Sequence, residues 1–266
     1  MKRFVISAGT AALAVAICTL GACGTSENAA TQPTTANLQV SAVDSALIAV
    51  HASADATVAD VGTLNASTAT DPGNGCTFNP ADGRFDCPPM INANGVTVTR
   101  SLAFFDTTGT LMNHFDSTTA SMNVQAILSG VVITAAGADT VNGTRNLTAT
   151  GLFGHNTTRT WNGSGNGTHG AFWVDSAASR TADVSYSSIF TNVVVALPRS
   201  ANPYPVSGTI SRAVTGTGVV TKGDSTRTIS ISRSVLITFN GTEFVPMTVG
   251  NESYTLDLAT GKAVKN

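Results

Sequence analysis

Two periodicities divide the chain. From Val40 to Val61 the apolar residues fall at positions 40, 43, 47, 50, 54, 58 and 61, the spacing of one face of a helix. Ser41 followed three residues later by Asp44 has the form of a capping box, the segment is rich in Ala, and Gly62 supplies a stop. This pattern predicts one amphipathic helix over 40–61, then a loop over 63–75.

From Gly95 onward the period is two. Val96, Val98, Leu102 and Phe104 alternate with polar residues, residues 106–109 break the run, and 111–115 form a return arm. Residues 122–134, 141–153 and 180–197 are further strand candidates. Residues 162–168 (NGSGNGT) carry so much Gly that a turn or wide loop is expected there. Alternating runs over 206–220 and 226–239 join around Gly223-Asp224. Asn240-Gly241 then signals a type I′ turn into a strand over 244–258, pairing Ile237 with Phe244 and Val235 with Pro246. Consecutive hairpins without βαβ alternation predict a mainly β fold, a long antiparallel meander over 95–258 curved into a half-barrel or open barrel. The helix is expected to pack on its concave or apolar face.

The N-terminus follows a different pattern. Lys2 and Arg3 precede an almost wholly apolar or small stretch from Phe4 to Ala22, with no stop-transfer charges behind it. Leu20-Gly21-Ala22-Cys23 closes the stretch and resembles the lipobox of bacterial lipoproteins. That resemblance covers only the first 23 residues. It implies cleavage before Cys23 (residues 1–22 being the signal peptide), a diacylglyceryl group on the Cys23 thiol and usually acylation of the new N-terminus. Several acyl chains on one residue give stable attachment, since each buried CH₂ contributes about 0.8 kcal/mol. Gly24 stands where an inner-membrane retention signal would have Asp, so the outer membrane of a bacterial cell envelope is the expected address. Residues 23–38 then comprise the lipidated cysteine and a flexible tether, and 39–266 a single mainly-β domain.

Composition narrows the function. Charged residues are 11% of the chain and the formal net charge is −2, with no basic stripe, which argues against nucleic acid as a partner. Of the four cysteines, Cys18 lies in the signal and Cys23 carries lipid. Cys76 and Cys87 remain and are expected to form a disulfide across a hairpin turning at Pro80–Gly83. No P-loop, dinucleotide fingerprint or H-E-x-x-H occurs, and Asn162-Gly163-Ser164-Gly165-Asn166 has its glycines misplaced for a nucleophile elbow. The four histidines (His51, His114, His155, His169) share no ligand spacing, although His155 and His169 flank one possible hairpin. No catalytic residue, metal or cofactor is expected from any motif.

One pattern is less ordinary. Arg100, Arg145, Arg212 and Arg233 each fall on the apolar face of a predicted strand. A turn at 223–224 sets Arg212 opposite Val235 and Arg233 opposite Val214, making the arginines diagonal neighbours. Charges facing a dry core are costly unless paired or solvated. Three readings stay open: a wet groove for a hydrophobic, amphipathic or anionic small ligand, inward charges that snorkel or prevent sheet stacking, or structural pairing with distant carboxylates. The chain is thus expected to be a membrane-anchored, non-enzymatic structural or interaction module, its protein partner unspecified. The alternative is a lipid or amphipath carrier, to which a curved sheet with a helix, as in the carriers of bacterial lipoprotein trafficking, is similar in outline.

Overall fold

In a computed structural model, residues 35–67, 75–91, 95–134, 137–154 and 156–266 are described. The apolar segment 4–22, Cys18, Cys23, the residues between Cys23 and Thr35, and His155 lie outside them. Among the described residues no helix is long and apolar enough to cross a membrane.

The fold is mainly β, one open antiparallel sheet of 13 strands with one helix. Helix α1 (Thr35–Ser67) precedes β1 (Thr77–Asn79), β2 (Arg84–Ile91), β3 (Thr97–Asp106), β4 (Leu111–Met112), β5 (Thr119–Thr134), β6 (Gly137–Thr150) and β7 (Thr158–Val174). There follow β8 (Ser179–Ala196), β9 (Ser207–Lys222), β10 (Ser225–Thr238), β11 (Phe244–Val249), β12 (Glu252–Asp257) and β13 (Ala263–Lys265). Each strand pairs with the next in sequence, except that β3 pairs with both β4 and β5. The sheet does not close into a barrel.

The sheet curls around the helix. Asp139 at the start of β6 bonds His51, and Gly261, in the turn before β13, lies against Asp55 and Val58. Five strands separate these two places in the sheet. At about 4.8 Å per strand a flat sheet would hold them roughly 30 Å apart. Both instead meet neighbouring turns of α1, so the helix forms the axis of a half-barrel.

That position corrects the expected amphipathicity. α1 spans 33 residues rather than 40–61, running through Gly62 and beginning ahead of Ser41, so the Ser41–Asp44 pair is not its cap. Ala46, Ala49, Ala52, Ala54, Ala56 and Ala59 are buried on several sides, together with Ile48 and Leu64. Beyond the exposed Ala42 and Val43, only a narrow stripe among the described residues, Leu47, His51, Asp55, Val58, Gly62 and Asn65, is part-exposed. A helix buried around most of its circumference is a core helix. Its small side chains make it a narrow cylinder, which a strongly curled sheet can enclose.

Two strand expectations are overturned. The Gly-rich stretch 162–168 is the middle of β7, not a turn. Gly163, Gly165 and Gly167 all fall on its inner face, Gly163 against the backbone of Asn146 and Leu147 and the other two beneath long side chains of neighbouring strands. A Cβ on Gly165 would stand 2.3 Å from Arg145 Cδ and 2.8 Å from the Thr144 carbonyl oxygen. One on Gly167 would stand 2.5 Å from Tyr186 Oη. Glycine here makes room rather than a bend.

The second correction concerns register. Ile237 pairs with Met247 and Val235 with Val249, and the expected strand 244–258 is two strands joined at Gly250-Asn251. At residues 240–243 the Asn240 carboxamide instead accepts from the Thr242 N–H and donates to the Phe244 carbonyl, giving a longer connection. The three-residue shift exchanges the faces of β11. Val245, Met247 and Val249 point inward, while Phe244 and Pro246 face solvent. Phe153 likewise lies beyond the end of β6 and is half exposed.

A β-bulge in β8 preserves the core. Asn192 (φ 49°) donates its N–H to Asn162 Oδ1, and pairing with β9 shifts between Thr191 and Val194. Inward positions pass from even numbers, ending at Phe190, to odd numbers, so Val193 and Val195 stay inside.

The Cys76–Cys87 disulfide is present, with the chain turning at residues 80–83 as expected. Replacing both cysteines with Ser should lower stability by about 3 kcal/mol through the lost loop constraint. Gly165→Ala should cost about 1–3 kcal/mol by overpacking, whereas exposed Ser164→Ala should change stability by less than about 0.5 kcal/mol. Urea titration of the three variants checks both expectations.

Candidate functional site

A single row of paired residues crosses the inner face of the sheet. It runs Cys87, Arg100, Ala126, Arg145, Gly165, Ser188, Arg212, Val235 and Val249, from β2 to β11. Three of the four arginines singled out from sequence share this row, separated by small residues that leave space for their side chains. Arg233, on the next row, pairs with Val214 as expected, and Arg212 with Val235.

Arg145 and Arg212 converge on one carboxylate from the helix. Arg145 Nε donates to Asp60 Oδ1 at 2.5 Å, and Arg212 Nη2 donates to Asp60 Oδ2. All three side chains are fully buried. Arg212 also donates to Ser188 Oγ (2.9 Å), the Ser53 carbonyl (2.7 Å) and Thr57 Oγ1. Arg145 donates to the carbonyls of Thr144 and Asn166. The Tyr186 ring lies near both guanidiniums, at 5.6 and 5.7 Å from its centroid. Burial opposes the charge on Arg145, but Asp60 and Tyr186 outweigh it and hold the pKa above its ordinary value. Burial dominates at Arg212, with Arg145 adding repulsion, and lowers its pKa. Arg145 and Arg212 are thus both paired with one distant carboxylate, their side chains closed off from solvent.

The helix repeats this device. Asp44 accepts from Arg180 Nε (3.2 Å) and Nη2 (3.0 Å) and from Arg227, while Arg180 also reaches Asp175. Arg233 donates to the Ala42 carbonyl at 2.9 Å. Beside this end of the helix a cavity of about 730 Å³ is lined by Val43, Leu47 and Val220 together with Arg180, Lys222 and Arg227. Arg100 is half-buried on β3, and burial lowers its pKa.

One turn beyond Leu47 the pairing changes chemistry. His51 Nε2 lies 3.0 Å from Asp139 Oδ2 and 3.9 Å from Asp55 Oδ2. His169 Nε2 lies 2.9 Å from the same Asp55 oxygen. The two imidazole centroids are 5.7 Å apart, and Trp173 lies 4.5 Å from His51. Burial works against a charge on His51, but the Asp139 hydrogen bond and the charges of Asp55 and Asp139 prevail, and its pKa is raised. Sequence reasoning missed this group because its members come from α1, β6 and β7. Among the described residues the histidine beside His169 is His51, a helical residue, while His155 lies outside them. His114 is exposed and bonds Asn113 and Asp116.

The outer face has a different character. A groove of about 850 Å³ crosses β2 to β8, lined by Gln125, Ile127, Thr144, Asn146, Asn166 and Ile189 among others. Its amides bond one another, as in Asn123 Nδ2 to Asn146 Oδ1 (2.7 Å) and Thr144 Oγ1 to Asn166 Oδ1 (2.9 Å). Ile127 and Ile189 are each 59% exposed.

No family model, no curated protein and no solved structure matches the chain.

Asp60→Asn should lower the unfolding free energy by about 3–5 kcal/mol, because two buried guanidiniums lose their shared charge partner. Replacing Asp60, Arg145 and Arg212 together with Leu, Met and Met should restore most of that loss. Chemical denaturation of both variants provides the comparison, and a fully tolerated Asp60→Asn would show that the carbonyls alone hold the arginines.

Proposed function

We propose that this chain is a lipid-anchored, non-enzymatic interaction module of the bacterial cell envelope, working through the outer face of its sheet. The observation that carries the reading is where the polar groups go. Asp44 and Asp60 each take two arginines, so four inward cations and two helix carboxylates are consumed by one another. The groove with Ile127 and Ile189, lined mostly by uncharged residues with the exposed Asp86 at its β2 end, is left open to solvent. Apolar side chains rimmed by amides and hydroxyls suit contact with another macromolecule. The helix also occupies the concave space that a carried lipid would need, which favours interaction over carriage.

One observation favours the carrier alternative. The cavity beside the start of the helix has apolar walls and a mixed charge lining, with Arg180 and Arg227 paired with Asp44 and Asp175. Lys222, outside those pairs, offers a cation to the head group of an anionic amphipath. Such a ligand would bind at the end of the half-barrel rather than within it.

The test uses the full-length chain in a bacterial host. It should incorporate palmitate label and fractionate with membranes, and Cys23→Ser should abolish both. A photo-cross-linker at Ile127 or Ile189 should give one discrete adduct in intact cells, with none from exposed Val264. Unlabelled wild-type chain would overturn the anchoring. Absence of adducts from the groove, with lipid co-purifying in native mass spectrometry, would overturn the interaction reading in favour of carriage.

A further inference from the structure

Elsewhere on the helix each buried carboxylate meets arginine. At the His51 turn the sheet offers a carboxylate and an imidazole instead, and the arrangement is chemically incomplete. One atom from each of His51, Asp55 and Asp139 lies within 4.8 Å of the others. Asp139 is 1% exposed, and its second oxygen, Oδ1, is buried without a hydrogen-bond partner. His169 Nδ1 is likewise buried without a partner. Leaving a buried carboxylate oxygen unsatisfied is costly, and such an oxygen is a place for an ordered water or a bound ion.

We propose that His51 Nε2 and one carboxylate oxygen each from Asp55 and Asp139 form a binding site for a divalent transition-metal ion of the zinc class, with His169 positioning Asp55. Tetrahedral zinc holds nitrogen and oxygen ligands at about 2.0–2.2 Å, which puts ligand atoms roughly 3.4 Å from one another. The observed separations of 3.0 Å (His51–Asp139) and 3.9 Å (His51–Asp55) bracket that value. Two carboxylates facing a neutral imidazole supply the two negative charges that such a cation needs. An imidazole in the set selects zinc, nickel, cobalt or copper over calcium and magnesium, which prefer oxygen alone. Ligating carboxylates are normally fixed by a further hydrogen bond, and His169 provides one to Asp55 at 2.9 Å.

Access and an open coordination position are also present. A cavity of about 540 Å³ adjoins the cluster, lined by His51, Asp55, Trp173, Thr260, Gly261 and Lys262. His51 and Asp55 line this space while Asp139 lies behind them, and a set of three protein ligands leaves the fourth position to water or to an incoming donor from the cavity. The site tethers α1 to β6, with β7 held through His169, so a bound ion would clamp the helix inside the sheet. This inference does not depend on lipidation or on the outer groove.

The chain, stripped with chelator and dialysed, is titrated with Zn²⁺ and then with Ca²⁺ by calorimetry, with the melting temperature followed in parallel. One Zn²⁺ per chain should bind and raise the melting temperature, and Ca²⁺ should do neither. His51→Ala and Asp139→Asn should each weaken binding by more than about 100-fold, His169→Gln by about 10–100-fold, and exposed His114→Ala not at all. Absence of stoichiometric Zn²⁺ binding, or binding that survives both His51→Ala and Asp139→Asn, overturns the site. If those variants fail to fold, Co²⁺ added to the wild-type chain decides. Strong visible absorption from a low-symmetry, four- or five-coordinate ion supports the site, and the pale spectrum of the hydrated ion overturns it.

Discussion

The structure depends on exchanging charge between a buried helix and the sheet that encloses it. Asp60 lies between Arg145 and Arg212 with no access to water, and Asp44 lies between Arg180 and Arg227. An apolar rod inside an apolar half-barrel could rotate or slide with little penalty. Carboxylates at two heights fix both its rotation and its depth, since a displaced helix would leave several guanidiniums buried and alone. The small residues on the arginine row serve the same end. Ala126, Gly165 and Ser188 keep the inner surface low where long side chains must lie across it.

Where the charged pairs end, the geometry passes from closed to open chemistry. The two arginines on Asp60 are held by carbonyls and hydroxyls as well as by the carboxylate. The His51 cluster is bordered by a cavity and retains unsatisfied atoms. The helix therefore carries two kinds of polar residue at similar spacing. One kind makes the fold specific, and the other has coordination capacity left over.

Much of the sheet was legible in the sequence because solvent faces one side of each strand and apolar residues recur at every second position. The hairpin around Gly223-Asp224 was legible in detail, down to Arg212 opposite Val235, since a two-residue turn fixes register by counting. Counting failed where two turn candidates competed. Asn240-Gly241 has the stronger local signature, but the tight turn is at Gly250-Asn251, where Val249 and Glu252 pair. The glycines of β7 misled for another reason. Locally they weaken a strand, and only the neighbouring Arg145 and Tyr186 give them a purpose. The inward arginines were visible as a pattern, but their partner was not. Asp60 lies 85 residues from Arg145 and 152 from Arg212, and nothing local connects them. The same holds for His51 and Asp139, which meet across 88 residues.

These long separations also govern how the molecule can be made. The helix is synthesised before the strands, yet it has little solvent-compatible surface, and Asp44 and Asp60 each gain their second arginine only after β9 and β10 exist. High contact order of this kind slows folding. The hairpins, whose pairings are local, have every opportunity to form first. A chain interrupted after β8 would possess most of the sheet but hold Asp60 by Arg145 alone and Asp44 by Arg180 alone. Completion of the ninth and tenth strands is therefore the event that commits the helix to its place, and native assembly is decided late in a polypeptide whose centre is among its first residues.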